Sequence, residues 1–129
     1  MSQELKVGII GLGKMGQIRY NEFSEHPGTV VTHGSDPDES QFAHFPGVER
    51  STESDSVINS DVEIIVVATP NKFTPSFISQ ALDAGKHVFS EKPPGRTVQD
   101  IEDIITAEKR NPDLKLKFGF NHRYHAGIQ

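Results

Sequence analysis

Three glycines close to the N-terminus have a spacing that suits the binding of a diphosphate. They lie in Gly11-Leu12-Gly13-Lys14-Met15-Gly16, a G-x-G-x-x-G pattern in a chain of 129 residues. The first glycine allows a tight turn, the second lets a phosphate approach the backbone, and the third lets a helix pack closely on a strand. Amide groups at the N-terminus of that helix would hold the phosphate charge. The alternative is a tight strand–helix turn without a ligand.

A carboxylate follows at the distance expected of a ribose ligand. Asp36 lies twenty positions beyond Gly16, and an acid at about this separation binds the adenosine ribose of a dinucleotide. A carboxylate there repels a 2′-phosphate and no arginine adjoins it, so the pattern favours NAD, with NADP the less favoured cofactor. Asp36 could instead form an Asx-type turn after the strand, and Asp38 is the alternative ribose ligand.

The elements that must position these residues alternate between short apolar runs and longer segments of helical period. This pattern predicts a doubly wound, mainly parallel α/β sheet of the Rossmann type. The continuously apolar residues 64–68 predict a central strand, whereas residues 114–120 alternate with lysines, as in an edge strand. The predicted strands are residues 6–10, 30–34, 64–68, 87–90 and 114–120.

Capping signals mark two of the helices. Thr74 and Pro75 predict an N-cap and a first helical position, followed by an apolar stripe over residues 77–82 and an end at Gly85. Thr97 and Asp100 resemble a capping box. The second of these helices would bury Ile101, Ile104 and Ile105 and end at Asn111-Pro112.

The segment between the predicted second and third strands is polar, and the helix after the glycine turn carries an apolar stripe. Residues 35–60 predict a short helix, a short strand and a second short helix. Met15, Ile18 and Phe23 predict an apolar stripe on the helix that follows the glycines.

The composition excludes several classes of protein. The chain is 34% hydrophobic and 24% charged, has a net charge of −5 and contains no cysteine, so neither a nucleic-acid surface nor thiolate chemistry is indicated. No apolar run approaches the ~20 residues of a membrane span, and the N-terminus lacks the features of a signal peptide. We therefore expect a cytoplasmic protein without a membrane or nucleic-acid partner.

Two further motifs make the pattern specific. Thr69-Pro70-Asn71 follows the predicted central strand, at the edge where ligands bind in open α/β sheets, and Ala84-Gly85-Lys86-His87-Val88 leads to Glu91-Lys92-Pro93. With the glycine turn, these motifs resemble, in order, those of the N-terminal domains of the glucose–fructose oxidoreductase, inositol dehydrogenase and MocA (Gfo/Idh/MocA) family. The resemblance extends over residues 7–124.

The resemblance implies roles for particular residues. Lys92 would be catalytic, lying beside the nicotinamide ribose and the reacting hydroxyl, where an ammonium group stabilises alkoxide charge or relays a proton. Glu91 would orient Lys92 or bind the ribose. Arg123 would contact nicotinamide or substrate. The expected cofactor contacts are Gly11, Leu12, Gly13, Lys14, Met15, Gly16, Asp36, Thr69, Pro70, Asn71, Glu91, Lys92 and Asn121.

Some features leave alternatives to these roles. Pro94-Gly95 stands where many members of the family have a leucine and a small residue, which puts the shape of this loop in doubt. The pair Glu91-Lys92 could be a solvated ion pair on a loop. His122 and His125 have the spacing of a metal pair but no third ligand, so we expect no metal site.

The family also implies a domain organisation and an activity. We expect an NAD(P)-binding domain at residues 1–121, the start of a connection at residues 122–129, and a second α/β domain that is absent from this chain. The full-length protein would be a homo-oligomeric oxidoreductase acting on a CH–OH group of a sugar, cyclitol or nucleotide sugar, and this chain alone would be inactive. The alternatives are a non-catalytic NAD-binding regulatory or assembly module and another Rossmann dehydrogenase, although the latter gives no reason for Glu91-Lys92-Pro93.

Overall fold

The structure is a computed structural model that describes residues 4–69, 72–91 and 97–119. Strands and helices alternate along the chain, as predicted. The elements are β1 (Leu5–Ile10), α1 (Lys14–Glu25), β2 (Thr29–Ser35), a 3-10 helix (Glu39–His44), β3 (Glu49–Ser51), α2 (Ser54–Ile58), β4 (Ile64–Val67), α3 (Thr74–Asp83), β5 (His87–Glu91), α4 (Val98–Arg110) and β6 (Leu116–Gly119).

The six strands form one parallel sheet in the order β3-β2-β1-β4-β5-β6. From β1 the sheet extends outward through β2 to β3, and the chain then returns to the other side of β1 for β4 to β6. This confirms the doubly wound α/β Rossmann fold. The strand order reverses between β1 and β4, so a crevice opens at their carboxyl ends, where ligands bind in sheets of this kind.

Both faces of the sheet are covered by apolar clusters. On one face, Val7 and Ile9 of β1 pack in a cluster that includes Phe45. On the other, Ile65 and Val67 of β4 pack with buried residues of α2, α3 and α4. The continuous apolar run of β4 is explained by this double coverage, because both sets of alternating side chains are buried.

The predicted strands occur with small changes at their ends. β4 ends at Val67 rather than Ala68, and β6 begins at Leu116 rather than residue 114. Among the described residues β6 lies at the edge of the sheet, as expected, and Lys115 and Lys117 are exposed. Phe120, predicted to end this strand, lies outside the described residues. The segment 35–60 contains the predicted helix, strand and helix.

The capping predictions are confirmed in part. Thr97 and Asp100 form the reciprocal hydrogen bonds of a capping box at α4, and Asn111 follows its last residue. However, Phe73 is the N-cap of α3, so Thr74 and Pro75 are both already helical. The Thr74 hydroxyl is used differently, because it donates a hydrogen bond to the carbonyl oxygen of Thr69 at 3.3 Å.

The predicted apolar stripe of α4 is wrong in two of its three residues. Ile104 is buried, but Ile101 and Ile105 are 37% and 42% exposed. Successive helical residues are about 100° apart, and the other buried residue of α4 is Ala107. The buried face is therefore centred between Ile104 and Ala107, and both exposed isoleucines lie on the far side of Ile104.

The stripe predicted for α1 also differs from the observed one. Met15 is 38% exposed, whereas Ile18 and Phe23 are half-buried. The buried positions of α1 are Gly16 and Arg19.

No helix in the described ranges is both long and apolar enough to cross a membrane.

Replacement of Gly16 by alanine tests the contact between α1 and the preceding turn. A Cβ atom at Gly16 would overlap the carbonyl oxygen of Gly11, and overpacking of this kind typically costs about 1–3 kcal/mol. We expect Gly16→Ala to lower the urea midpoint of unfolding clearly. Gly13→Ser is the control, because Gly13 faces open space with φ −77° and serine is a favourable N-cap residue. Equal midpoints for the two variants would contradict this account.

Candidate functional site

The turn between β1 and α1 is fixed by close approaches of the backbone. Gly11 has a φ of +99°, and a Cβ atom there would lie 2.5 Å from the carbonyl oxygen of Ala68. Its amide donates to the carbonyl oxygen of Ser35 at 2.8 Å. Gly11 thus joins the carboxyl ends of β1, β2 and β4, which sets the turn at the point where the strand order reverses.

The N-terminus of α1 lies at this turn. Gly13 is the N-cap residue of α1 and provides no side chain; the first turn of the helix contains no acidic residue. A Cβ atom at Gly13 would have no described atom within 4 Å. The amides of the first helical turn have no partners within the helix, so this end of α1 presents donors and positive dipole to an open space.

Asp36 connects the end of β2 to the glycine turn. One carboxylate oxygen accepts the Leu12 amide at 2.8 Å, and the other accepts the Asp38 amide at 2.8 Å. The second bond is an Asx-type turn, which was the alternative interpretation of Asp36. The two interpretations are compatible, because a carboxylate has about four lone-pair positions and two amides leave the others for a ligand.

Asp38 has a separate structural use. Its carboxylate accepts the Ser40 hydroxyl at 2.6 Å and the Ser40 amide at 3.0 Å, which caps the 3-10 helix. These hydrogen bonds lower the pKa of Asp38. Asp38 is exposed, and the cavity described next is lined by Asp36 rather than by Asp38.

A cavity of about 510 Å³ opens beside the glycine turn. Its apolar wall includes Phe73 and Phe77, and its polar wall carries the carboxylates of Asp36 and Glu53. Neither lysine nor arginine is among the described residues that line it. These residues are Ile10, Gly11, Gly13, Ser35, Asp36, Pro37, Thr52, Glu53, Ser54, Ala68, Thr69, Phe73 and Phe77.

Several of these lining residues were missed by the sequence analysis. Thr52, Glu53 and Ser54 reach the cavity because β3 pairs with β2, and the Asp36 amide donates to the carbonyl oxygen of Ser51 at 3.0 Å. The pairing of β3 outside β2 has no local sequence signal. Phe73 directly precedes α3. The only sequence signal for its role was an apolar residue close to Thr69.

Glu91 lies at the end of β5 with its carboxylate bound by an arginine. Arg19 of α1 donates from Nε to Oε2 and from Nη2 to Oε1, the latter at 3.0 Å. The side chains of Arg19 and Glu91 are only 6% and 14% exposed. Glu91 is therefore part of a largely buried ion pair rather than a solvated one on a loop. The Glu91 carboxylate raises the pKa of the Arg19 guanidinium. Arg19 was not singled out in the sequence, although Gly16, Arg19, Tyr20 and Phe23 share one helical face.

The remaining predicted contacts divide into two groups. Leu12 is buried, Lys14 and Met15 are exposed beside the turn, and Thr69 lines the cavity. The other group, Pro70, Asn71, Lys92, Asn121 and Arg123, lies outside the described residues and stays a prediction, as do His122 and His125. The described part of the chain holds no cluster of three His, Cys, Asp or Glu side chains able to bind a metal ion.

Comparisons with known proteins identify similar sequences and folds. Residues 5–119 match the family model GFO_IDH_MocA, described as "Oxidoreductase family, NAD-binding Rossmann fold". The chain is 31% identical over 109 residues to an uncharacterized oxidoreductase of Streptococcus pneumoniae, covering 83% of this chain and 30% of the relative. It is 28% identical over 130 residues to inositol 2-dehydrogenase 3 of Saccharopolyspora erythraea, covering 97% and 38%.

A similar solved structure is that of scyllo-inositol dehydrogenase from Lactobacillus casei with bound NAD(H) and scyllo-inositol. The TM-score is 0.86 and the identity 29%, over 95% of this chain and 38% of that one. The chain therefore spans between 30% and 38% of the length of these three relatives.

Replacement of Asp36 by alanine tests its hold on the turn. The variant removes the acceptor of the Leu12 amide, and a buried amide left without a partner costs about 1–3 kcal/mol. We expect faster hydrogen exchange at the Leu12 and Asp38 amides and lower stability. Asp38→Ala is the matched control, since it removes the cap of the 3-10 helix without touching Leu12. Unchanged exchange at Leu12 in Asp36→Ala would show that this hydrogen bond does not form.

Proposed function

Because the chain belongs to the Gfo/Idh/MocA oxidoreductase family through its NAD-binding Rossmann domain, we propose that it is the cofactor-binding part of a dehydrogenase. The proposed enzyme transfers hydride between NAD and a secondary alcohol or ketone of a sugar, cyclitol or nucleotide sugar. The observation that carries the proposal is the cavity at the strand-order reversal, which the glycine turn and the Asp36 carboxylate border together. The inositol dehydrogenases among the relatives support a cyclitol or sugar as substrate.

The residues around the cavity suit a dinucleotide. The amides at the start of α1 would bind the diphosphate, and the open space at Gly13 would admit it. Asp36 would accept hydrogen bonds from the adenosine ribose through the carboxylate lone pairs that the Leu12 and Asp38 amides leave unused. Phe73 and Phe77 would cover apolar surface of the adenosine. The bound nicotinamide would supply the hydride acceptor or donor.

The charge of the cavity supports NAD over NADP. Asp36 and Glu53 are the charged side chains among its described lining residues. A 2′-phosphate next to Asp36 would meet repulsion and find no basic partner on this wall. NADP-binding sites of this fold instead place an arginine near the 2′-phosphate.

Outside the described residues, the proposal assigns the chemistry to Lys92. Its ammonium group would stabilise the charge on the reacting oxygen or relay the proton that leaves the hydroxyl. Pro70, Asn71 and Asn121 would extend the cofactor contacts of Thr69, and Arg123 would contact nicotinamide or substrate. Residues 1–121 would form the cofactor domain and residues 122–129 the start of the connection to a substrate domain. This division rests on relatives that are more than twice as long.

Cofactor preference is the first test of this proposal. Calorimetric titration should show tighter binding of NADH than of NADPH. Asp36→Asn removes the negative charge but keeps an amide oxygen as acceptor, so it should shift the affinity ratio toward NADPH by about tenfold or more, or about 1.4 kcal/mol. Asp38→Asn should leave the ratio as it is. Equal affinities in the native protein, or an unchanged ratio in Asp36→Asn, would remove the role of Asp36 in cofactor choice.

A second test separates binding from chemistry in the full-length protein. Lys92→Ala should lower turnover of an inositol by ~10²-fold or more, the scale of a lost acid–base group, while NADH affinity changes little. Gly13→Val should abolish NADH binding, because its side chain fills the space left for the diphosphate. NADH fluorescence and the absorbance of the reduced nicotinamide measure the two effects. Full activity of Lys92→Ala on a confirmed substrate would refute the catalytic assignment and leave the cofactor site intact.

A further inference from the structure

Arg19 is a buried charge that the proposed function does not use. The residue is 5% exposed, and it lies on α1, one turn after the glycine motif. Its guanidinium binds both carboxylate oxygens of Glu91, and its Nη1 donates to the Glu22 carboxylate at 2.7 Å. A two-point contact between guanidinium and carboxylate fixes both the distance and the orientation of its partners.

The surroundings of Arg19 are built to hold the guanidinium in one place. The group lies over the Phe89 ring, 4.9 Å from the ring centre. Gly119 of β6 pairs with Glu91 of β5, and a Cβ atom at Gly119 would lie 2.6 Å from Nη2 of Arg19 and 2.8 Å from the Phe89 ring. Arg19 therefore packs across the ends of β5 and β6 at once, in a space that only a glycine at position 119 leaves.

Stability alone does not account for such a pair. Removing one partner of a buried ion pair is strongly destabilising, yet replacing both partners by apolar residues of similar size is often neutral or stabilising. What an apolar pair does not supply is the fixed two-point geometry between α1 and the end of β5. The residues that follow these two strand ends in the sequence are Lys92 and, two positions after Gly119, Asn121.

We propose that Arg19 is a positioning residue that acts through Glu91. Arg19 fixes the end of β5, from which the chain continues to Lys92, at a set position relative to α1. The N-terminus of α1 borders the cofactor cavity. The close packing of Arg19 against Gly119 likewise fixes the end of β6 relative to α1. In this arrangement Glu91 sets the position of Lys92 and is engaged by Arg19 rather than by the ribose. The inference rests on the proposed function, in which Lys92 lies beside the bound nicotinamide ribose.

The test uses the full-length protein and an apolar replacement of the pair. Arg19→Met leaves a buried carboxylate unpaired and should lower the melting temperature, whereas the double variant Arg19→Met/Glu91→Met should recover it. NADH fluorescence checks that the double variant still binds the cofactor, and the NADH concentration is set to saturate each protein. Glu22→Gln is the matched control, because it removes the charge of one partner of Arg19 but keeps the two-point contact with Glu91.

The decisive readout is the reactivity of Lys92. NADH should slow acylation of Lys92 by acetic anhydride in the native protein and in Glu22→Gln, as measured by peptide mass spectrometry. In the double variant NADH should still bind but no longer slow this acylation. Turnover of NAD with myo-inositol or scyllo-inositol should fall by ~10²-fold, the scale of a small misplacement of a reacting group. Native protection together with native turnover in the stable double variant would overturn the proposal.

The native protein and one further variant, Arg19→Lys, cover two other outcomes. If the double variant fails to fold, Arg19→Lys carries the test, because it keeps the charge and loses the two-point contact; reduced protection of Lys92 supports the proposal and native protection overturns it. If NADH does not bind the native protein, or does not slow acylation of native Lys92, the proposed function fails and this inference fails with it. The native measurements thus test the proposed function, and the variants test Arg19.

Discussion

The arrangement of the site depends on how closely the backbone approaches itself at the β1–α1 turn. Gly11 lies against the carbonyl oxygen of Ala68, and Gly16 lies against the carbonyl oxygen of Gly11, at separations that leave no room for a Cβ atom. Because of these contacts, α1 begins directly at the crevice between β1 and β4. A longer turn would move the helix dipole away from the cavity. The Asp36 carboxylate then closes the arrangement, since its bond to Leu12 joins the end of β2 to the same turn.

The architecture was predictable because the local sequence patterns indicate the same alternation of strands and helices that a parallel sheet requires. The apolar run of β4 reflects coverage on both faces, and the capping box of Thr97 and Asp100 is a local hydrogen-bond pattern that needs no tertiary contact. The end of α4 was predictable because Asn111-Pro112 is likewise a local signal. The buried face of α4 was not, because the three isoleucines form one stripe about 100° wide, and only packing decides that the buried face is centred beyond its Ile104 edge, toward Ala107.

The site was predictable where its residues are local and missed where distant elements meet. The glycine turn and Asp36 belong to one strand–helix–strand unit, so their spacing alone brings them together. Glu53 reaches the cavity because β3 pairs with β2, and no local sequence pattern predicts this pairing. Arg19 was missed because a charged residue in a helix is usually solvated, and its partner Glu91 is 72 residues away. Its position on the same helical face as Gly16 and Phe23 was the available signal.

A crystal structure of the protein with NADH tests the central claim most directly. The claim is that the glycine turn and Asp36 form one preorganised cofactor site. It predicts the diphosphate at the N-terminus of α1 beside Gly13 and a ribose hydroxyl within hydrogen-bond distance of Asp36, with the bond from Leu12 to Asp36 unbroken. A diphosphate bound elsewhere, or an Asp36 carboxylate that contacts only its own backbone in the complex, would contradict the account.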